Sequence, residues 1–294
     1  MGLKIENVTK TFIDKKAVDD ISFEISKPGV FALLGTNGAG KTTTIRMMLG
    51  IIKKDTGNIT WNGKAVDRKS VNFGYLPEER GLYPKSKIVD QLMYFAKLKG
   101  MKKSDAQKNI DYWLERLKMT EYKDSLAEKL SKGNQQKIQF IIAVMHNPDL
   151  VVLDEPFSGL DPVNTDLLKD VILELVEKGK YIVMSSHQMN SVEEFCDDIV
   201  ILSRGKTVLK GNLNEIKGAY PKNKLEIDTQ EDITKVIENL KVKEHTKNKY
   251  IIQIENENQA EKILETLVAK KVKVEKYEIL KPTLHEIFIE KVGK

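Results

Sequence analysis

The chain has 294 residues, 40% of them hydrophobic, and its formal net charge of +5 comes from 48 basic and 43 acidic residues. This length predicts one large and one small domain, and the mild, interspersed charge gives no reason to expect a nucleic acid partner. The sequence has no apolar run long enough to span a bilayer, no signal peptide at its start and a single cysteine, Cys196, which together predict a cytosolic protein.

Short apolar runs typical of strands alternate along the chain with longer segments of helical spacing. These runs are ISFEI, VFALL, NITW, LVVLD, YIVMSS and DIVILS. Buried strands that alternate with helices predict an α/β domain with a largely parallel sheet. From residue 86 to about residue 147 the pattern is helical throughout, which predicts a helical subdomain inserted into the α/β core.

The first chemical motif, LLGTNGAGKTTTIRMMLG, follows the apolar strand VFALLG and opens a helix. It fits G-x-x-x-x-G-K-[ST], and the strand before it and the helix after it are the context that a phosphate-binding loop requires. Glycines let backbone N–H groups turn toward a polyphosphate, and a helix N-terminus adds unpaired amides. We expect the Lys41 amine to reach the β- and γ-phosphates and the Thr42 hydroxyl to ligate Mg²⁺; a glycine-rich turn that only caps a helix is the alternative. The predicted nucleotide-binding residues of the loop are Gly35, Thr36, Asn37, Gly38, Ala39, Gly40, Lys41, Thr42 and Thr43.

The second chemical motif is LVVLDEPFSGLD, at residues 150–161. Its apolar start predicts a buried strand that ends in Asp154 and Glu155, and carboxylates at the carboxyl end of such a strand point into the crevice where open α/β sheets bind ligands. We expect Asp154 to hold the Mg²⁺ shell and Glu155 to accept a proton from the attacking water. For this pair alone, a strand that ends in an acidic turn is the alternative.

Between these two motifs lies the segment EKLSKGNQQK. Together the three segments resemble the nucleotide-binding subunit of an ATP-binding cassette (ABC) transporter, in which a signature of the form L-S-G-G-Q opens a helix between the phosphate motifs. Here Lys132 replaces the first glycine and Asn134 the final glutamine, while Ser131 and Gly133 remain. The resemblance implies that Ser131 and Gly133 contact a γ-phosphate presented from outside, and a serine N-cap before free amides is itself suited to an anion. A merely capped helix is the alternative.

The resemblance also implies roles for residues whose local pattern is weak. His187, after YIVMSS, resembles the switch histidine that contacts the γ-phosphate and helps to orient the water. Phe12 stands where the family has an aromatic ring stacked on adenine, with a core phenylalanine as the alternative. In FGYLPEERGLYP, Glu78 takes the place of a glutamine that reaches Mg²⁺ and the water. The predicted catalytic residues are thus Glu155, His187 and Lys41, and the predicted metal ligands are Thr42, Glu78 and Asp154.

The implied fold is an α/β P-loop NTPase core of the ABC ATPase type with the inserted helical subdomain. The PEERGLY variant and the lysine-bearing signature resemble ATPase subunits of bacterial export systems of the ABC-2 type, whose permease is a separate polypeptide. The implied function is ATP-driven export with ATP and Mg²⁺ as cofactors, at the cytoplasmic face of the cell membrane. In that family each ATP lies between the loop of one subunit and the signature of another, so the implied partners are an integral-membrane permease and a second cassette, as a homodimer or a heterodimer.

The C-terminal part of the chain has a different, Lys/Glu-rich composition. Strands and amphipathic helices are expected to alternate in KLEIDTQ, DITKVIENLK, KYIIQIE, NQAEKILETLVAKK, VKVEKYEIL and PTLHEIFIEKV. This predicts a small α+β domain, which resembles the C-terminal extension common in the exporter branch. The predicted domains are therefore 1–219 for nucleotide binding and 220–294 for the accessory domain, with residues 220–223 as linker.

Three other functions remain open at this point. A cassette ATPase could act on a soluble partner in translation or DNA repair, although such chains generally carry two cassettes or a long coiled coil. A P-loop kinase would leave the signature unexplained. A regulatory binding module with vestigial hydrolysis would leave the intact Asp154, Glu155 and His187 unexplained.

Overall fold

The computed structural model describes residues 2–66, 71–79 and 81–292. The chain forms two compact units that divide between Gly211 and Asn212. This division lies earlier than the boundary at 219/220 that the composition suggests, because a short helix that begins after Asn212 belongs to the second unit. The Asn212 side chain caps that helix by accepting hydrogen bonds from the backbone N–H groups of Asn214 and Glu215.

The first unit contains both sheets and helices. Its strands are β1 (Leu3–Phe12), β2 (Lys15–Ile25), β3 (Gly29–Gly35), β4 (Thr56–Trp61), β5 (Lys64–Ala65), β6 (Phe73–Leu76), β7 (Leu150–Asp154), β8 (Tyr181–Ser186), β9 (Asp198–Ser203) and β10 (Lys206–Asn212). Its helices are α1 (Lys41–Met48), α2 (Ile88–Leu98), α3 (Lys103–Arg116), α4 (Lys132–Val144), α5 (Pro162–Glu177) and α6 (Met189–Glu193). In the part of the chain that the structure describes, no helix is both long and apolar enough to cross a bilayer.

A six-stranded sheet positions the chemical motifs. Its strand order is β10-β9-β3-β8-β7-β6, and β3, β6, β7, β8 and β9 pair in parallel. Every residue of β3 and β7 is buried, as expected of parallel strands that are covered on both faces. The carboxyl ends of β3, β7 and β8 therefore meet at one edge, where the glycine-rich loop and the acidic pair begin.

A second, antiparallel sheet in this unit was not expected from the alternating pattern. Its strand order is β2-β1-β4-β5, and β1 pairs antiparallel with both β2 and β4. Apolar residues of this sheet, of α1 and of the parallel sheet form one core, which includes Leu3, Ile21, Met48 and Val183. Helix α1 and the loop before it are thereby held against both sheets.

Residues 86–147 contribute α2, α3 and α4, in agreement with the helical pattern of the sequence. Helix α4 lies directly against β6, since a Cβ atom at Gly74 would overlap the carbonyl group of Ala143. Gln91 of α2 fixes the chain that leads into this region. Its Oε1 accepts from the Tyr83 N–H at 2.8 Å, and its Nε2 donates to the carbonyl oxygens of Tyr83 and Ser86 at 3.0 Å each.

The second unit is an α+β domain around a four-stranded antiparallel sheet. Its elements are α7 (Leu213–Gly218), β11 (Lys224–Thr229), β12 (Lys241–His245), β13 (Lys249–Gln253), α8 (Glu257–Ala269), β14 (Val274–Leu280) and α9 (Leu284–Val292). The strand order is β12-β13-β11-β14, the arrangement of a split βαβ fold. The prediction of a helix in DITKVIENLK is wrong. Residues 232–240 form turns, in which Ile233 and Ile237 fill the core without a continuous helix.

His146, which follows α4, lies half-buried against β6. Its Nε2–H donates to the Phe73 carbonyl oxygen at 3.1 Å, and its Nδ1 atom is buried without a hydrogen-bond partner among the described residues. Burial, assisted by the charges of Lys99 and Lys180, lowers the pKa of His146 to about 4. Because an unfolded histidine titrates near pH 6.5, the unfolded chain binds more protons between these two values.

We therefore expect the His146 site to lower the free energy of unfolding as the pH drops from about 6.5 to about 4, and to have no effect above that window. Replacing His146 with glutamine, which keeps an N–H donor for the Phe73 carbonyl oxygen, should remove about 2 kcal/mol of this loss in the free energy of unfolding. This figure is smaller than the full pKa shift implies, because the ring keeps some contact with water. Urea unfolding of both proteins at pH 7 and pH 4.5 measures the difference. An equal loss in the two proteins would contradict a buried neutral His146.

Candidate nucleotide-binding site

The glycine-rich loop connects β3 to α1 through three glycines in the left-handed region. Gly35, Gly38 and Gly40 have φ values of 152°, 77° and 106°, which side chains with a Cβ atom rarely adopt. A Cβ atom at Gly40 would also lie 2.5 Å from the Ala17 carbonyl oxygen, and one at Gly35 would overlap the Leu202 carbonyl group. The loop thus needs glycine for both its backbone conformation and its close packing.

Lys41 is the first residue of α1 and is only 7% exposed. Its Nζ atom donates to the carbonyl oxygens of Gly35 at 2.8 Å and Thr36 at 3.3 Å, and it lies 3.9 Å from Oε1 of Glu155. Gly40, the N-cap residue of α1, supplies no side-chain cap. The first N–H groups of this helix are therefore available to an anion beside a buried cation.

The acidic pair follows β7 at the same sheet edge. Asp154 is 1% exposed and Glu155 7% exposed, and Glu155 adopts a left-handed backbone with φ of 51°. The Ser185 hydroxyl of β8 donates to Oδ1 of Asp154. The backbone N–H of Glu155 donates to both the carbonyl oxygen and the Oγ atom of Ser185, at 3.3 Å and 3.2 Å. Neighbouring strands thus fix both carboxylate residues.

His187 pairs with the second carboxylate. Its Nδ1 atom lies 2.8 Å from Oε1 of Glu155, and its side chain is half-exposed. An ionised carboxylate can only accept a hydrogen bond, so Nδ1–H is the donor in this pair. In the described structure His187 therefore contacts the predicted base itself, and it does not belong to the set of residues that lines the cavity described next.

A cavity of about 430 Å³ lies in front of the loop and the acidic pair. Phe12 stands at the wall of this cavity with 45% of its surface exposed, which excludes the alternative of a core phenylalanine, and the Lys10 amine lies 5.3 Å from its ring centroid. Glu78 also borders the cavity. Among the described residues, the cavity is lined by Phe12, Lys15, Ala17, Asn37, Gly38, Ala39, Gly40, Lys41, Thr42, Thr43, Glu78, Asp154 and Glu155.

The signature residues lie elsewhere. Ser131 caps α4, with its Oγ atom accepting from the Asn134 N–H at 3.2 Å, and Gly133 packs against the Gly159 carbonyl oxygen, which would lie 3.1 Å from an added Cβ atom. Neither residue belongs to the lining of the cavity. One chain therefore brings together the loop and the acidic pair without the signature.

The structure adds site residues that the motifs did not indicate. Lys15 and Ala17 of β2 line the cavity, and Gln136 of α4, which is 2% exposed, donates from Nε2 to the carbonyl oxygens of Pro156 at 3.1 Å and Glu155 at 3.4 Å. Ser185, whose hydroxyl donates to Asp154, is the fourth residue that the structure adds to the site. A serine at the end of a buried strand was the one available signal for it, because polar residues at a strand's carboxyl end face the ligand crevice.

The residues present fit a magnesium ion. Oδ2 of Asp154 is buried and has no hydrogen-bond partner among the described residues, and Asp154 shares the cavity with Thr42. The described residues contain no cluster of three or more His, Cys, Asp or Glu side chains suited to a metal. Mg²⁺ needs no such cluster, because it is usually bound through one or two protein oxygens together with substrate phosphates and water.

The parallel sheet, the glycine-rich loop that opens α1 and the acidic pair on the neighbouring strand define a P-loop nucleotide-binding protein. Comparison with known proteins makes this class specific. The family model for the ABC transporter matches residues 18–158, and the model for the ATP-binding protein DrrA1-3-like C-terminal domain matches residues 211–292.

Individual relatives agree with these matches. The chain is 49% identical to the uncharacterized ABC transporter ATP-binding protein YhaQ of Bacillus subtilis (strain 168), over 99% of this chain and 98% of YhaQ. It is 34% identical to the linearmycin resistance ATP-binding protein LnrL of the same strain, over 73% of this chain and 70% of LnrL. A solved ATP-binding subunit of an ABC transporter superposes with a TM-score of 0.69 at 29% identity, over 74% of this chain and 92% of that subunit. The chain therefore belongs to the family of ABC transporter ATP-binding proteins, which bind and hydrolyse ATP.

Proposed function

We propose that this ATPase powers a membrane exporter, and that two cassettes close over bound ATP and reopen after hydrolysis. The observation that carries the proposal is the convergence of Lys41, Asp154 and Glu155 on one cavity, where the Asp154 Oδ2 atom has no hydrogen-bond partner among the described residues. A buried cation, free helix amides and a carboxylate base are the groups that phosphoryl transfer to water requires.

In this proposal the residues divide the chemistry among them. The loop amides and the Lys41 amine bind the phosphates, and Phe12 stacks on the adenine. Glu155 accepts the proton of the attacking water, while His187, 2.8 Å away, holds the Glu155 carboxylate in place. Mg²⁺, held by Thr42, Asp154 and Glu78, would neutralise the charge that develops on the phosphates.

The second cassette is proposed because each chain separates its own signature from its own cavity. Ser131 caps α4 by accepting from the Asn134 N–H, and the earlier N–H groups of the helix, those of Lys132 and Gly133, have no intrahelical partner and are suited to an anion. When a second copy or a paralogue presents these residues to the γ-phosphate, both sites are complete. ATP then favours the closed pair because the contacts form only in that state.

The permease is proposed to bind beside the helical insert. Tyr83 and Tyr94 are 54% and 51% exposed and share a groove with Asp90 and Gln91, and exposed aromatic patches of this kind mark protein contacts. Tyr83 lies a few residues after Glu78, so movement at the phosphate site can pass along this segment to the partner. The similarity to LnrL, which is named for resistance to linearmycin, supports export, at the cytoplasmic face of the membrane.

The test is to purify the partners of the chain from native membranes. The Glu155→Gln variant, affinity-tagged and solubilised in mild detergent with MgATP, should recover a polytopic membrane protein in stoichiometric amount by mass spectrometry. The Lys41→Ala variant is the matched bait, and we expect it to recover less of the same protein because it cannot close over ATP.

Recovery of soluble proteins alone would contradict the exporter proposal. It would favour a cassette ATPase that acts on a soluble partner, while the ATPase assignment itself would stand on the family membership.

A further inference from the structure

We propose that the Ser185 hydroxyl positions Asp154 for the magnesium ion that accompanies ATP. This inference rests on the proposed role of Asp154 in the function above. Ser185 acts through the aspartate and does not touch the nucleotide cavity itself, so it is a positioning residue. Neither chemical motif of the sequence contains it.

The sheet places Ser185 directly beside Asp154. The two residues are register partners in the parallel pair β7 and β8, and Ser185 is fully buried at 0% exposure. The hydroxyl is therefore out of contact with water, and its hydrogen bonds must be made within the protein.

A serine hydroxyl has one proton to donate and lone pairs to accept with, and Ser185 uses both. It donates to Oδ1 of Asp154, and it accepts from the backbone N–H of Glu155 at 3.2 Å. One side chain thus links the metal-binding carboxylate to the backbone of the predicted base.

The consequence for Asp154 is a difference between its two oxygens. Oδ1 is occupied by the Ser185 hydroxyl, whereas Oδ2 is buried and has no partner among the described residues. The bond to Oδ1 fixes the rotation of the carboxylate and leaves Oδ2 as the oxygen for the metal. Groups that orient a metal ligand in this way commonly change metal affinity about 10- to 100-fold when they are removed.

The neighbouring serine offers a matched control. Ser186 is also buried, at 3% exposure, but its Oγ atom accepts from the Gln188 N–H at 2.9 Å. Its side chain has no hydrogen bond to Asp154 or Glu155 among those of the described residues. Loss of this hydroxyl removes a buried polar group from the same strand end and leaves the carboxylates as they are.

The decisive comparison is Ser185→Thr against Ser185→Val, because the two side chains have the same shape and only threonine keeps the hydroxyl. The measured quantity is the affinity for ATP in Mg²⁺ divided by the affinity in EDTA, obtained by calorimetry on the full chain. We expect wild type, Ser185→Thr and Ser186→Ala to share one ratio, and Ser185→Val to have a ratio about tenfold smaller with unchanged affinity in EDTA. The half-saturating Mg²⁺ concentration for hydrolysis should rise by a similar factor.

Equal ratios for the threonine and valine variants would overturn the inference. So would equal weakening of ATP binding with and without Mg²⁺ in the valine variant, since that pattern indicates a general packing role. If wild type itself binds ATP no better in Mg²⁺ than in EDTA, the proposed metal role of Asp154 fails, which is a different result from equal ratios in the two variants.

Discussion

The Lys41→Ala variant is expected to lose ATP binding. The Lys41 amine is the buried cation of the loop, and its polar partners among the described residues are the carbonyl oxygens of Gly35 and Thr36 and the Glu155 carboxylate. Phosphate oxygens would accept charge-assisted hydrogen bonds from this amine, and the loss of such bonds corresponds to an affinity change on the order of 100-fold. Calorimetric titration of wild type and variant with MgATP measures the loss.

Lys103→Ala is the control for this substitution, because Lys103 is an exposed lysine at the start of α3 and does not line the cavity. It should bind ATP as wild type does. Lys41→Ala removes the two hydrogen bonds that the amine donates to the Gly35 and Thr36 carbonyl oxygens, but the loop should keep its fold because the close backbone packing of its glycines is unchanged. Wild-type affinity in Lys41→Ala would refute the assignment of the loop as the phosphate site.

The Glu155→Gln variant is expected to bind ATP but to hydrolyse it roughly 100- to 10,000-fold more slowly, the range over which a general base contributes to catalysis. Glutamine keeps the size of the side chain and a hydrogen-bond partner for His187, so the site should stay assembled. Because hydrolysis no longer reopens the pair of cassettes, MgATP should convert the variant into a stable dimer. Single-turnover hydrolysis and light scattering coupled to size exclusion measure the two effects.

Glu177→Gln supplies the matched carboxylate-to-amide change, at an exposed position that ends α5. It should hydrolyse ATP at the wild-type rate and form no lasting dimer. Rapid turnover by Glu155→Gln would count against Glu155 as the base. A slow but strictly monomeric Glu155→Gln would leave the base in place and count against closure of two identical chains.

Much of the fold can be read from the sequence because its strongest signals are local. The buried strands LVVLD and YIVMSS and the helices of residues 86–147 follow from apolar spacing alone. The antiparallel sheet of β1, β2, β4 and β5 does not follow from this spacing, because apolar alternation along one strand does not indicate which other strand pairs with it. The segment DITKVIENLK has helical spacing but forms turns, because Ile233 and Ile237 reach the core of the second unit without a continuous helix.

The sequence by itself predicted the phosphate loop and the acidic pair, because each is a contiguous motif whose residue types suit the chemistry of phosphate and metal binding, and the resemblance to ABC subunits implied the signature. Only the tertiary structure decided how these motifs are arranged. It brings the Lys41 amine within 3.9 Å of the Glu155 carboxylate. It also lets the Ser185 hydroxyl donate a hydrogen bond to Asp154, 31 residues earlier in the chain. Ser131 and Gly133, by contrast, do not line the cavity of their own chain. Such contacts depend on which strands pair and in what register, and that choice is made by the packing of the whole core.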